Sequence, residues 1–221
     1  MIVLLAAAGT VTTVAGESSL GQEPSRRVTK LQEKVDSLFE DKDYDRAMSV
    51  YRADLAPLGD KYAQYMIGYM YLTGKGVARD LITASAWYRL SAERDQELFV
   101  SAREEVLSMF DDERRARSDS AYLALRRELG DIALLSALIS EDLEILRRFT
   151  MSRPTVMRSF EETFDKRRPV YAPVAKRLNQ RLDYLINLSL SNEFGDFYEQ
   201  QGIDRLEEEV LREIAKFNAM D

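Results

Sequence analysis

The pattern that most restricts the fold is a pair of apolar-spaced segments closed on each other by Gly74-Lys75-Gly76. In the first segment Ala63, Ile67, Met70 and Tyr71 fall on one face of a helical wheel, with Gly68 beside that face. The second, 81–93, carries Ala84, Trp87, Tyr88 and Ala92. Asp60 and Asp80 stand where helix caps belong, and their side chains can accept the first free N–H groups of each helix. Gly74 and Gly76 can take the positive φ that a tight interhelical turn needs. Small Gly68 and Ala84 let two helix backbones approach closely, Val77 can plug the turn, and Trp87 can fill the space between the helices.

A glycine-rich turn holding a lysine also invites comparison with a phosphate loop, which requires G-x-x-x-x-G-K-[ST] between a strand and a helix. Here five residues separate Gly68 from Gly74, Gly76 follows Lys75, and the preceding segment is helical. No G-x-G-x-x-G forms either, because Arg79 takes the third glycine's place. The turn is therefore expected to be architecture. The same holds for Asp41, Asp43 and Asp45, which resemble the start of a calcium loop. Arg46 and Arg52 occupy the positions of its glycine and closing glutamate, so a capping turn is expected.

Helical spacing continues over nearly the whole chain from residue 26. Val28, Leu31, Val35, Leu38 and Phe39 mark a first helix. Asp43 caps a second, with Tyr44, Ala47, Val50 and Tyr51, which stops before Pro57 and Gly59. Leu98, Phe99, Ala102, Val106 and Phe110 mark a helix over 97–110, and Asp111 or Asp112 opens another that Gly130 closes. Residues 132–149 are expected to be helical, with an internal cap at Ser140. Pro154 suits the first turn of a helix ending before Pro169. A long helix from about Pro173 to Glu193 carries Leu178, Leu182 and Leu185, read as intramolecular bundle core. After a loop at 194–202, a last helix carries Ile203, Leu206, Val210, Leu211, Ile214 and Phe217. No alternating strand pattern occurs, so the fold class is all-α.

The segment "AQYMIGYMYLTGKGVARDLITASAWYRLSAERDQ" resembles the Sel-one-like repeat, a tetratricopeptide-like helical hairpin of about 36 residues. Ala63, Gly68, Met70, Tyr71, Gly74, Gly76, Val77, Asp80, Ala84, Trp87, Tyr88 and Ala92 carry the resemblance. The best copy spans 63–96. Upstream, "DYDRAMSVYRADLAPLG" resembles the second helix of a preceding unit, with Ala47 and Tyr51 in register and Val50 in place of the Trp. Downstream, 97–127 reads as a degenerate hairpin, and Asp95 stands where the family usually has Gly. The resemblance covers 40–127 and implies a short helical-hairpin repeat solenoid, placed over 26–130; outside it, the apolar spacing gives a further helical C-terminal region over 131–221. It also implies a role in protein–protein interaction.

The 221-residue chain contains no Cys and no His. Thiol catalysis, a Ser-His-Asp triad and an ordinary zinc site are thereby excluded from its residues. Glu104/Glu105 and Asp111/Asp112 are adjacent pairs that point to different helix faces, poor partners for acid–base work. No enzymatic activity, cofactor or metal is expected, with carboxylate or Ser/Lys hydrolysis as the remote alternative. A net charge of −7 argues against nucleic acid as the partner.

At the N-terminus, residues 2–8 form an apolar run too short for a stable membrane span. Val14-Ala15-Gly16 suits signal cleavage before Glu17, although no Lys or Arg precedes the apolar run. The expectation is a signal peptide over 1–16, a linker over 17–25, and a periplasmic or secreted protein. Retention of Met1 would make it cytoplasmic.

Two surfaces stand out as places for a partner. Tyr62, Tyr65 and Tyr69 form a stripe about 150° round the helix from Ala63, Ile67 and Met70. They can grip another protein or pack on neighbouring helices. Residues 147–181, including Arg167 and Arg168, hold ten basic and three acidic side chains, whereas 193–221 holds nine acids and three bases. These segments can bind an anionic ligand or neutralise one another. The reading that follows is a protein–protein adaptor or scaffold of the cell envelope, with another protein as its partner.

Overall fold

The computed structural model describes residues 26–151, 159–190 and 197–219. The expected signal peptide and linker, the helix start at Pro154, and the chain at 191–196 lie outside the described residues. Among the described residues the fold is all-α, with no strand. The chain forms two compact units, one ending at Leu125 and the other starting at Arg126.

The first unit holds α1 (Arg26–Glu40), α2 (Tyr44–Val50), α3 (Lys61–Thr73), α4 (Leu81–Ser91), α5 (Glu97–Ser108) and most of α6 (Asp112–Leu129). The caps are aspartates. Asp43, Asp60 and Asp80 accept from the N–H groups of Arg46, Ala63, and both Ile82 and Thr83. α3 ends with its last carbonyls satisfied: Thr73 Oγ1 donates to Tyr69 O, Gly74 N and Lys75 N to Met70 O, Asp80 N to Tyr71 O, and Arg79 Nε to Leu72 O. α3 and α4 pack closely because Gly68 has no side chain; a Cβ there would stand 2.9 Å from a Tyr88 ring carbon. Ala63, Ile67, Met70, Ala84, Leu90 and Trp87 form the core of this hairpin, all 3% exposed or less.

The turn has φ of 73° at Gly74 and 68° at Gly76. Gly76 is constrained twice, since a Cβ would lie 2.6 Å from the Tyr44 carbonyl carbon and oxygen. Its backbone therefore rests directly on the first turn of α2.

α2 and α4 begin and end alike. Asp43, Ala47, Val50 and Tyr51 match Asp80, Ala84, Trp87 and Tyr88 at one sequence offset. Further on, Ala56, Gly59 and Asp60 match Ala92, Asp95 and Gln96 at an offset one residue shorter. Ala56 and Ala92 each open a closing 3₁₀ turn, and Gly59 and Asp95 are both left-handed. Between the two sets, Tyr51–Leu55 is a π turn, which widens a helix by one residue per turn and absorbs the difference.

α6 is polar along most of its length. Its buried positions Ser118, Tyr122 and Arg126 form a single stripe of one residue per turn. Ser85 Oγ donates to Ser118 Oγ at 2.8 Å, and Arg89 reaches Asp119 at 2.5 Å with its guanidinium 4.4 Å from the Tyr122 ring centre.

The second unit packs α7 (Asp131–Met151), α8 (Ser159–Leu190) and α9 (Phe197–Asn218). The contacts Phe149–Tyr171, Asp142–Arg177 and Leu138–Arg181 run α7 and α8 antiparallel. Arg147–Glu209, Thr150–Glu213 and Phe149–Phe217 run α9 parallel to α7. Leu135, Ile139, Leu143, Leu146, Leu178, Leu182, Leu185 and Val210 fill the space between them. The leucine series of α8 is thus core within one chain.

Three boundaries differ from the sequence expectation. α7 is unbroken through Ser140, whose hydroxyl bonds back to Ser136 O instead of capping a new helix. α8 does not end before Pro169 but runs through Pro169 and Pro173. Both prolines lie on its exposed side, so neither ring is forced into the core. α9 starts at Phe197 instead of after Gly202, and no atom stands within 4 Å of where a Gly202 Cβ would be.

At the α7–α8 contact, Asp142 is 2% exposed and takes hydrogen bonds from Arg177 and from buried Arg181. Removing the carboxylate leaves Arg181 desolvated without it, so Asp142→Ala should cost about 3–5 kcal/mol in chemical denaturation. Deleting Ala53 should convert the π turn to regular helix, keep cooperative unfolding, and move Tm by only a few degrees. Deleting Thr83 from regular α4 should rotate its remainder by about 100° and abolish the melt.

Candidate partner-binding surface

Capping by Asp60 and closure at Gly74 fix the length and rotation of α3, and with them the stripe Tyr62, Tyr65 and Tyr69. All three rings are half-buried. Tyr62 stacks on Tyr65 with ring centres 6.3 Å apart. Tyr65 also leans on Tyr88 of α4 at 5.3 Å and Phe99 of α5 at 5.5 Å. Tyr69 lies 6.2 Å from Phe39 of α1. Each tyrosine thus has one side against its own chain and another open, and the stripe lies along the seams where α1 and α5 meet α3.

The surroundings of Tyr62 and Tyr65 favour the neutral phenol. Burial, then Asp36 and Tyr65, raise the pKa of Tyr62; burial, then Tyr69 and Glu105, raise that of Tyr65. Burial, with Glu40 and Asp60 close by, also raises the carboxyl pKa of Asp36. Gln32 Nε2 donates to the second oxygen of Asp60 at 2.8 Å, tying α1 to the start of α3. The surface is aromatic, neutral at its centre and acidic at one margin.

Beside Tyr69, the half-exposed side chain of Lys75 brings its ammonium to the edge of three rings. It donates to the Tyr69 hydroxyl at 2.8 Å and sits 4.8–5.3 Å from the ring centres of Tyr69, Tyr44 and Phe39. The hydrogen bond to Tyr69 raises its pKa in spite of partial burial. Each of these residues was visible in the sequence, but nothing in their spacing brings Phe39 and Tyr44 to Lys75. That meeting depends on Gly76 resting on α2.

The remaining sequence candidates fall elsewhere. Ala63, Gly68, Tyr71, Gly74, Gly76, Asp80, Ala84, Trp87 and Ala92 build the α3–α4 hairpin and its turn. The amides of Gly74 and Lys75 point back to Met70 O, away from any phosphate. Asp43 caps α2, Asp111 accepts from Arg114 N at the start of α6, and Glu104 pairs with Arg103. No group of His, Cys, Asp and Glu able to hold a metal occurs among the described residues, and no described helix is long and apolar enough to cross a membrane.

In the basic segment, Arg168 lies 5.4 Å over the Phe217 ring, while the side chain of Arg167 lies outside the described residues. Arg147 holds Glu209, Arg148 holds Glu144, and Arg177 and Arg181 hold Asp142. Glu213 shows the same pairing from the acidic side: burial opposes its charge, but Thr150 and Lys216 outweigh it and lower its pKa.

Comparison of the chain with protein-family models, with curated proteins and with solved structures finds no match in any of the three.

Tyr65 packs on rings of α4 and α5, whereas Tyr62 stacks on Tyr65 and lies beside Asp36 of α1. With more ring partners, Tyr65→Ala should cost about 2–3 kcal/mol of unfolding free energy, and Tyr62→Ala about 1–2 kcal/mol, in urea titrations read by circular dichroism.

Proposed function

We propose that this chain is a Sel-one-like repeat adaptor that binds another protein along the tyrosine stripe of α3, in the periplasm or outside the cell. The observation that carries the binding role is the half-open row Tyr62, Tyr65 and Tyr69 on a helix fixed at both ends. Aromatic side chains held in place lose little conformational freedom on association, so their contact area converts efficiently into affinity.

The repeat reading draws support from the paired construction of α2 and α4. The same capping residue, the same small buried alanines, the same closing 3₁₀ turn and a left-handed residue at the same position recur in both. Asp95, with φ of 53°, fills the left-handed position that Gly59 fills one unit earlier, and Asp is among the side chains that tolerate it. On this reading α1, α3 and α5 are the first helices of successive hairpins, and the seams between them carry the tyrosines. An anionic ligand on residues 147–181 is the weaker reading, because four of the arginines there already hold carboxylates.

A photo-reactive amino acid placed at Tyr62 tests the proposal in the native cell. One protein should cross-link from position 62 and from position 69 but not from exposed Tyr184 of the second unit. The pair Tyr62→Ser and Tyr69→Ser should release that protein in co-purification with Tm lowered by only a few degrees. Retention of the partner by this folded double variant would overturn the surface assignment. In the same sample the mature N-terminus should lie near Glu17; an intact Met1 would overturn the location.

A further inference from the structure

The charges around the tyrosine stripe are sorted by sign. On a helical wheel α1 has three sectors: Arg26, Arg27, Lys30 and Lys34 share one, Leu31, Val35 and Leu38 an apolar one, and Glu33, Asp36 and Glu40 the third. Contacts with α3 show which sector meets the stripe. Gln32 bonds Asp60 at the start of α3, and Phe39 meets Tyr69 near its end. Asp36 stands on the same edge of α1, one turn from each of these contacts, which places it beside Tyr62. The sector that looks onto the tyrosines is therefore the acidic one, and the four cations lie on another side of the helix.

Across the stripe, α5 adds one more carboxylate. Phe99 packs on Tyr65, and Ala102 joins the same apolar cluster as Tyr65 and Tyr69. Leu98 and Glu105 flank Ala102 along that edge of α5, and both are exposed. Burial first, then Tyr69 and Glu105, favour the neutral form of Tyr65, which puts Glu105 near that ring. Among the described residues Asp36, Glu40 and Glu105 have no ion pair, in contrast to Glu93, Asp142 and Glu199, each held by a cation. Burial, then Glu40 and Asp60, oppose the charge of Asp36, and an incoming cation would offset that repulsion. Lys75 stands at the Tyr69 end of the stripe, so the carboxylates that lack a cation are those beside Tyr62 and Tyr65.

We propose that the partner presents a basic segment to this surface, Arg or Lys interleaved with apolar side chains, its cations set against Asp36, Glu40 and Glu105 and its apolar residues on Tyr62, Tyr65 and Leu98. This rests on the reading of the stripe as the docking site and adds the chemistry that the stripe selects. A guanidinium lying on the open side of a tyrosine ring can also reach a carboxylate at the ring's margin, so one arginine is served by both parts of the surface. An acidic or uncharged segment would cover the same carboxylates without pairing them, which costs affinity.

Fluorescence anisotropy on the full chain tests this, with a labelled peptide of Gly-Arg-Leu repeats and a Gly-Glu-Leu counterpart. The arginine peptide should bind about tenfold more tightly than the glutamate peptide. Asp36→Asn together with Glu105→Gln should weaken it about fivefold at unchanged Tm. Asp183→Asn together with Glu208→Gln, two exposed acids of the second unit, should leave its affinity as in wild type. That second pair separates the surface from the net charge of −7. In the native cell, the segment cross-linked from position 62 should be rich in Arg and Lys. Wild-type affinity in the Asp36/Glu105 variant, equal weakening by both pairs, or a cross-linked segment poor in Arg and Lys would overturn the basic partner and leave the stripe as the docking site. Cross-linking from neither position 62 nor position 69 would instead remove the stripe reading, and this inference with it.

Discussion

Everything distinctive in the first unit depends on one steric fact: at Gly76 there is no room for a Cβ beside the Tyr44 carbonyl. This contact makes the α3–α4 turn part of the packing of α2 as well as the link between its own helices. The positive φ at Gly76 and the missing side chain are therefore two separate requirements met by one residue. Gly74 differs, because a Cβ there would meet only ordinary contacts, so its glycine is demanded by backbone conformation alone. The turn pressed onto α2 carries Lys75 to Phe39 and Tyr44, two residues that no local rule connects with it.

Local physics was legible wherever one residue settles one local question. Asp43, Asp60 and Asp80 read as caps because a short acceptor preceding an apolar periodic run has few better uses, and each accepts the first free N–H groups of its helix. Gly74 and Gly76 read as a turn for the same reason. The sequence misled where a weak local preference competed with burial. Ser140 has mediocre helix propensity, yet Ile139 and Leu143 on either side are core residues and hold the helix through it. Pro169 and Pro173 are four residues apart, which puts both on the solvent side, while Ala175, Leu178 and Leu182 anchor the next turns. Gly202 is carried in the same way by Ile203 and the apolar face after it.

α6 illustrates a different limit. Periodicity finds helices by their apolar stripe, and the buried stripe of α6 is Ser118, Tyr122 and Arg126. A stripe of that kind earns its place through specific partners, so its meaning lies in Ser85, Arg89 and Glu199, residues far away in sequence. The tyrosine stripe of α3 sits between these cases. Its three positions were readable from spacing, but whether each ring faces a neighbour or solvent depends on Phe39, Tyr88 and Phe99, which only the packing supplies.

Cations are held in two ways in this chain, most by carboxylates and Lys75 beside aromatic rings. In the second unit, guanidinium groups meet carboxylates: Arg177 and Arg181 converge on Asp142, and Arg147 reaches Glu209. An arginine held by a carboxylate has its donors matched in geometry and charge, and an incoming anion would have to replace a partner already at ideal distance. At Lys75 the ammonium donates to the Tyr69 hydroxyl at 2.8 Å and stands beside the rings of Phe39 and Tyr44. The dense arginine cluster of the second unit, for all its charge, is therefore already occupied by the chain's own carboxylates.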